Sequence, residues 1–154
     1  LSLWYLLPAI QTSLAVLYFI KRDYEISVGL FDRALKLDPT NYSLWNKMGA
    51  SLAHLGRPDE AIQCYHRALE IKPNYVRVWV NLGIAHGFKS LYEEAARFYL
   101  NALSFRPDAK HIWAYLQTTF MSMQRYDLIK LIGRQDPSLF KEFDVMNVED
   151  LPTP

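Results

Sequence analysis

The amino-acid sequence predicts an all-α fold built from repeated pairs of helices. Three observations support this prediction: residue types recur at an offset of 34, apolar residues within each repeat follow helical spacing, and glycines and prolines fall where helices should end. The recurring columns are Trp45/Trp79/Trp113, Gly49/Gly83, Ala61/Ala95, Tyr65/Tyr99, Ala34/Ala68/Ala102 and Pro39/Pro73/Pro107. Chance does not align so many columns, so we expect the same structural unit to occur several times.

The composition is that of one globular domain. The chain has 154 residues, of which 51% are hydrophobic and 21% charged, and its formal net charge is +1. Basic residues alternate with acidic ones instead of clustering, which argues against a nucleic-acid partner. The one cysteine, Cys64, cannot form an internal disulfide, so the sequence favours a reducing compartment, and we expect Cys64 to be a packing residue of a helix.

The second repeat shows what each column does. In its first helix Trp45, Met48 and Leu52 form an apolar stripe, while Gly49 lets a second helix approach closely. Residues 56–59 form the break, with a proline suited to the first turn of the next helix and acidic residues suited to its N-terminal end. The packing face of this second helix comprises Ala61, Tyr65, Ala68 and Leu69.

The order W-x2-[LM]-G, A-x3-Y-x2-A and P at this period is the pattern of the tetratricopeptide repeat. It predicts a tetratricopeptide-repeat right-handed superhelical solenoid of about three repeats with C-terminal capping helices, because the fourth unit begins at Trp113 but loses the pattern at Gly133. A short further helix is expected from Asp136 to Phe143. The predicted bounds are about 8–41, 42–75 and 76–109 for the repeats, 110–143 for the capping helices, 1–143 for the whole domain and 144–154 for a flexible tail.

Residues 1–20 carry no charge and are long enough to raise the question of a membrane span. Pro8, Gln11 and Thr12 interrupt the run, and the repeat pattern assigns its second part to a hairpin, so we predict no direct membrane span. Because the chain begins with Leu1 instead of Met, we expect a fragment whose apolar start packs against preceding repeats.

A longer stretch from Asp38, DPTNYSLWNKMGASLAHLGRPDEAIQCYHRALEIKPNYVRVWVNLGIA, is more specific than the general repeat. It resembles the C-terminal repeats of the peroxisomal import receptor family that reads C-terminal tripeptides of the Ser-Lys-Leu type. The segments LWNK and PNYVRxxxNxGI carry the resemblance, which is close over 38–84 and loose over 14–143. It implies a cytoplasmic receptor that binds C-terminal targeting peptides of matrix proteins on its concave face and cycles to the peroxisomal membrane through the docking machinery there.

The resemblance carries three peptide-binding positions over to this sequence: Asn46, Arg77 and Asn81. In the family, asparagines and an arginine on the inner helices hold the cargo tripeptide's backbone and terminal carboxylate. His54 and Phe88 depart from the family, since many members have asparagine at these inner-face positions. We expect His54 to donate to a peptide carbonyl and Phe88 to floor an apolar pocket for a Leu-like terminal side chain, with ordinary packing between repeats as the alternative for both.

The residue types support part of this site without the family. Arg77 and Asn81 are four residues apart on one predicted helix and therefore share a face. A guanidinium and an amide are well suited to a carboxylate and its preceding peptide groups. Asparagine is a poor helix-interior residue, so Asn46 and Asn81 indicate a use, although a hydrogen bond to a neighbouring backbone carbonyl is the structural alternative. For Arg77 the alternative is a solvated charge.

No catalytic motif stands out. The histidines and Cys64 lack metal-ligand spacing, and there is no glycine-rich phosphate loop or nucleophile motif, so we predict a non-enzymatic binding module without metal or cofactor. Two alternatives stay open. One is a co-chaperone-type clamp for acidic C-terminal tails, for which Lys47 and Arg77 are the inner-face cations in the first helices of the two best repeats. The other is a structural scaffold in a larger assembly.

Overall fold

The computed structural model describes residues 6–151 and confirms an all-α fold for this part of the chain. Eight α-helices and two short 3-10 turns follow one another, and residues 6–151 contain no strand. The helices are α1 Leu6–Ile20, α2 Tyr24–Leu37, α3 Tyr42–His54, α4 Pro58–Ile71, α5 Val76–Phe88, α6 Tyr92–Phe105, α7 Lys110–Ser122 and α8 Tyr126–Ile132. The 3-10 turns are Pro137–Leu139 and Val148–Asp150.

The chain divides into two compact units, with the boundary between Pro73 and Asn74. In the first unit α1 packs against α2, α2 against α3 and α3 against α4. In the second unit α5, α6, α7 and α8 pack consecutively in the same way, and the turn Pro137–Leu139 lies against α6. Because short connections join consecutive packed helices, each unit contains two helical hairpins.

The packing faces that the sequence predicts are buried. In α4, Ala61, Ala68 and Leu69 are fully buried and Tyr65 is nearly so, which confirms the predicted face of this helix. The residues 34 positions later in α6 are buried as well, namely Ala95, Tyr99, Ala102 and Leu103. Helix α4 begins at Pro58, as the break signal predicts, because proline at the first helical position lacks only an N–H that has no intrahelical partner. The recurrence of residue types therefore reflects a recurrence of packing.

Each hairpin turn contains one residue in the left-handed backbone region. These residues are Arg22, Gly56, Ser90 and Gln124, with φ between 58° and 73°, and they lie 34 residues apart. The amide that follows each of them donates to a carbonyl five residues earlier, as Arg57 N does to Leu52 O at 3.0 Å and Leu91 N to His86 O at 3.0 Å. This is the Schellman arrangement, which satisfies carbonyls at the end of the first helix and reverses the chain.

A hydrogen bond links the tryptophan and proline columns. The indole N–H of Trp45 donates to the Pro39 carbonyl at 2.9 Å, and that of Trp113 donates to the Pro107 carbonyl at 2.8 Å. In both cases the indole ties the first helix of a hairpin to the loop before it. This shared contact explains why the two residue types recur together.

The C-terminal segment covers α7 with aromatic side chains. Phe140 and Phe143 are buried, and the Phe140 ring lies 5.5 Å from that of Phe120 between centroids. The sequence predicts a helix from Asp136 to Phe143, but the structure has only the turn Pro137–Leu139 there. The chain leaves helical geometry after this turn, and both phenylalanines are buried against the hairpin. The expected tail contains the second turn Val148–Asp150, and residues 1–5 and 152–154 lie outside the described residues.

Helix α1 presents an apolar surface. Ile10 is 57% exposed, whereas Leu44, 34 residues later on α3, is 4% exposed and packs in one cluster with Phe31 and Leu35 of α2. The large apolar residues exposed on α1 are Leu6, Leu7, Ile10, Leu14, Leu17 and Ile20. This face therefore has the character of one that packs against another helix. Among residues 6–151, no helix has the length and hydrophobicity that crossing a membrane requires.

Candidate functional site

Helix α5 brings two of the predicted site residues together. Arg77 and Asn81 are one turn apart on the same face, about 6 Å along the helix axis. Arg77 is exposed and Asn81 is half-buried. Arg77 makes no ion pair with any side chain among residues 6–151. Its guanidinium is therefore open to an anionic group from outside.

The buried stripe of α5 determines which of its side chains stay at the surface. Val78, Leu82 and Ala85 face the core of the second unit, and His86 is buried with its Nδ1 2.9 Å from the Leu82 carbonyl oxygen. The remaining face carries, in order along the helix, Arg77, Asn81, Ile84 and Phe88. The apolar periodicity of α5 thus fixes a surface stripe that begins with a cation and ends with an aromatic ring.

Asn46 occupies a different environment. It lies on α3 in the first unit, and 5% of its surface is exposed. A buried amide agrees with the structural alternative, in which the side chain serves the packing of the repeat. It is much less accessible to a peptide than Arg77, and its part in binding stays a prediction.

His54 lies at the end of α3 and is exposed, but one face of its ring is occupied. The imidazole stacks on Tyr24 of α2, with ring centroids 4.4 Å apart and an interplanar angle of 6°. This contact supports the packing alternative for His54, because it joins two neighbouring helices. The hydrogen bond to a peptide carbonyl stays a prediction. Within residues 6–151, no three histidine, cysteine or acidic side chains are grouped so that they could hold a metal ion.

Phe88 is the last residue of α5 and is 84% exposed. It borders an open groove of about 390 Å³ formed by α5, α6 and α7. The groove is lined by Ile84, Gly87, Phe88, Tyr92, Tyr99, Tyr115, Thr118, Thr119 and Ser122. None of these residues carries a charge at neutral pH, so the groove suits an uncharged group.

Two of the residues that line this groove have stacked rings. Tyr99 of α6 and Tyr115 of α7 lie 5.6 Å apart between centroids, at an interplanar angle of 16°. Burial raises the pKa of the Tyr99 hydroxyl well above its usual range, and the neighbouring Tyr115 adds to the rise. The Tyr99 phenol therefore stays neutral, and the stacked pair contributes aromatic surface to the groove.

Sequence reasoning missed most of this groove. Tyr115 and Ser122 lie 34 residues after Asn81 and Phe88, so the repeat register itself places them at the equivalent positions of α7. That signal was available in the sequence. Tyr99 is different, since its column predicts only a packing role and its ring reaches the groove through helix packing.

Residues 42–75 and residues 76–109 each match the tetratricopeptide repeat family. Residues 42–109 are tetratricopeptide repeats. The tetratricopeptide fold explains why the alanine and tyrosine columns of α4 and α6 are buried, because these are the packing positions of its hairpins.

The tetratricopeptide repeats are similar to receptors for peroxisomal targeting signals. The peroxisomal targeting signal receptor of Saccharomyces cerevisiae is 42% identical over 59 residues, which cover 38% of this chain and 10% of the receptor. The peroxisomal targeting signal 1 receptor of Dictyostelium discoideum is 47% identical over 58 residues, which cover 38% of this chain and 9% of that receptor. The PEX5-related protein of Mus musculus is 40% identical over 53 residues, which cover 34% of this chain and 9% of that protein. The matches confirm the resemblance that the motifs indicate, over about a tenth of these relatives' length.

Solved tetratricopeptide structures share the fold. The Arabidopsis OM64 TPR domain superposes with a TM-score of 0.70 at 20% identity, covering 73% of this chain and 93% of that domain. The first TPR of Spaghetti (RPAP3), bound to the HSP90 peptide SRMEEVD, superposes with a TM-score of 0.72 at 17% identity. The superposition covers 76% of this chain and 93% of that domain. At these identities the similarity shows the tetratricopeptide fold alone.

Proposed function

We propose that this chain is part of a receptor that binds C-terminal targeting tripeptides of the Ser-Lys-Leu type on peroxisomal matrix proteins. The observation that carries the proposal is the exposed guanidinium of Arg77, one helical turn from the amide of Asn81, in a chain similar to peroxisomal targeting signal receptors. The guanidinium fork matches both oxygens of a terminal carboxylate. The amide both donates to and accepts from a peptide group beside it.

The other predicted site residues enter the proposal by resemblance. Asn46 supplies a hydrogen bond to the peptide backbone, and His54 donates to a peptide carbonyl from the exposed edge of its stacked ring. Phe88 supplies apolar contact. Since Arg77 is exposed and Asn81 lies one helical turn from it on the same face, these two residues are tested first.

The proposal extends to where the receptor works. It acts by binding alone, without catalysis, metal or cofactor. It collects cargo in the cytoplasm and delivers it through docking machinery at the peroxisomal membrane. The support for this part is that the similar proteins are targeting signal receptors.

Fluorescence anisotropy with two labelled peptides ending in Ser-Lys-Leu tests the proposal. One peptide has a free terminal carboxylate, and the other is its C-terminal amide. We expect only the acid to bind, and we expect Arg77→Ala to weaken it roughly tenfold to a hundredfold, because hydrogen bonds to a charged group contribute about 1.5–3 kcal/mol. Arg33→Ala, which removes an exposed arginine from α2, is the matched control and should leave binding unchanged. Equal affinity for acid and amide would contradict carboxylate recognition.

The same assay separates the alternatives. The peptide SRMEEVD, which the first TPR of Spaghetti (RPAP3) binds, represents the acidic tails of a co-chaperone clamp. Binding of SRMEEVD in preference to the Ser-Lys-Leu peptide would favour the clamp. A chain that binds neither peptide and self-associates in sedimentation would behave as a structural scaffold.

A further inference from the structure

The groove beside Phe88 continues the surface stripe that begins at Arg77. Arg77, Asn81, Ile84 and Phe88 follow the spacing i, i+4, i+7 and i+11, so all four lie on one side of α5. Ile84 and Phe88 both line the groove. An extended peptide that follows this stripe therefore runs from the guanidinium to the aromatic groove.

Axial distances decide which part of the peptide reaches the groove. With a rise of about 1.5 Å per residue, Ile84 and Phe88 lie about 10 and 16 Å from Arg77 along the helix. An extended peptide advances about 3.3 Å per residue, so a carboxylate held at Arg77 places the third to fifth preceding residues at the groove. On such a path the terminal Leu-like side chain would stay near Arg77, and an upstream residue would reach Phe88.

The threonine and serine hydroxyl groups that line the groove are hydrogen-bonded within their own helix. The hydroxyl of Thr118 donates to the Ala114 carbonyl at 3.1 Å, and that of Thr119 donates to the Tyr115 carbonyl at 2.9 Å. Ser122 likewise donates to the Thr118 carbonyl at 3.1 Å. With these donors occupied, the remaining side-chain polar groups of the lining are the phenol hydroxyls of its tyrosines, and the groove presents mainly aromatic and methyl surface without charge.

Phe88 is the most exposed large hydrophobic residue among residues 6–151. It contributes little to the core of the second unit, so folding of the hairpin does not require an aromatic ring there. The Phe88 ring and two stacked tyrosines line the same groove, so together they can offer aromatic contact to an apolar side chain. The occupant that fits is a side chain with a large apolar surface.

We propose that this groove is a side-chain subsite for an aromatic or large aliphatic residue located three to five positions before the C-terminal residue of the bound peptide. In a ligand ending in Ser-Lys-Leu, these are the three residues immediately before the tripeptide. The inference rests on the proposed function, because Arg77 fixes where the peptide ends. The cation at one end of the stripe and the uncharged groove at the other also set the direction in which the peptide lies.

The test uses labelled peptides with three alanines before Ser-Lys-Leu, and derivatives in which each alanine in turn is replaced by phenylalanine. We expect at least one phenylalanine peptide to bind about five- to tenfold more tightly than the alanine peptide. Phe88→Ala should remove this preference without disturbing the fold, because the ring is 84% exposed. Tyr126→Ala is the matched control, since Tyr126 is 64% exposed on α8 and does not line the groove.

Amide forms of the same peptides keep the two proposals distinguishable. If the acids bind, the amides do not, and all four acids bind equally, the subsite is overturned while carboxylate recognition stands. The same conclusion follows if Phe88→Ala retains the preference for phenylalanine. If acids and amides bind alike, or no peptide binds, the proposed function fails and the subsite fails with it.

Discussion

The ring of Tyr99 on α6 lies against Gly83 on α5, so closely that a Cβ on residue 83 would be 2.5 Å from Cε1 of the tyrosine. Gly49 and Tyr65 stand in the same relation one repeat earlier, also at 2.5 Å. Both tyrosines are buried. Each tetratricopeptide hairpin is thus closed by a ring that fills the space a side chain on the first helix would need.

Gly83→Ala should destabilise the protein by about 1–3 kcal/mol, because the new methyl group forces a buried ring to move. Gly29→Ala is the matched control, since a Cβ there meets no atom within 4 Å. The control should gain about 0.5–1 kcal/mol from the higher helix propensity of alanine. Urea unfolding followed by circular dichroism measures both. Equal stability of the two variants would show that the ring does not constrain residue 83.

The thiol of Cys64 should be unreactive in the folded protein. Burial raises its pKa to about 12, and the nearby carboxylate of Glu60 adds to the rise. A colourimetric thiol reagent at about pH 8 should modify the native chain slowly and the urea-unfolded chain at once. Rapid modification of the native chain would mean that the helix around Cys64 opens readily.

Alkali should destabilise the fold through the same group. The folded state holds the Cys64 proton more tightly than the unfolded state, so this contribution to stability is complete below about pH 9 and is lost as the pH rises toward about 12. Burial also raises the pKa of the Tyr65 and Tyr99 hydroxyls, so they add to the loss at higher pH. Unfolding at about pH 8 and about pH 10.5 should show a smaller loss for Cys64→Ala than for the parent chain.

Arg125 holds the C-terminal segment to the turn between α7 and α8. Its guanidinium donates to Glu142 at 2.9 and 2.7 Å and to Asp127 at 3.0 and 2.7 Å. The hydrogen bond from Arg125 lowers the pKa of Glu142, so this tie is present at neutral pH and is lost as the pH falls through the depressed value. Glu142→Gln should therefore speed amide exchange around Phe140 and Phe143 without unfolding the repeats. Asp32→Asn, which breaks an exposed ion pair with Lys36 on α2, is the control and should leave that exchange unchanged.

Asn81→Asp should weaken the binding of a peptide carboxylate more than Asn81→Ala does. The aspartate introduces a like charge beside the ligand and competes for Arg77 one turn away, whereas alanine only removes hydrogen bonds. The difference should shrink at about 1 M salt, where exposed charges are screened. Anisotropy titrations of both variants at low and high salt measure it. An aspartate variant that binds as well as the alanine variant would place the carboxylate away from residue 81.

The repeats could be predicted from the sequence because each recurring residue makes a contact within its own hairpin or with the loop next to it. The indole of Trp45 donates to the Pro39 carbonyl, and Gly49 leaves room for the ring of Tyr65. The residue types therefore recur together with these contacts. The C-terminal segment could not be predicted in the same way. Its path depends on how Phe140 and Phe143 meet α7, which no repeat pattern encodes.

The candidate site was predictable to the extent that it depends on one helix. The spacing of Arg77 and Asn81 places them on one face of α5 whatever surrounds it. The burial of Asn46 and the stacking of His54 on Tyr24 depend on neighbouring helices, and the groove at Phe88 needs three of them. Those features follow from packing, which single-helix periodicity does not determine.

The left-handed residues at the four hairpin turns have a consequence for how sequences of this kind diverge. Arg22, Gly56, Ser90 and Gln124 share a backbone conformation but no chemical property, and β-branched residues and proline are the types that this conformation disfavours most. Homologues should therefore vary freely at these positions while avoiding valine, isoleucine, threonine and proline. The turn conformation should therefore be visible in homologues as the absence of certain residue types at these positions. A comparison that counts only identical residues does not detect such an absence.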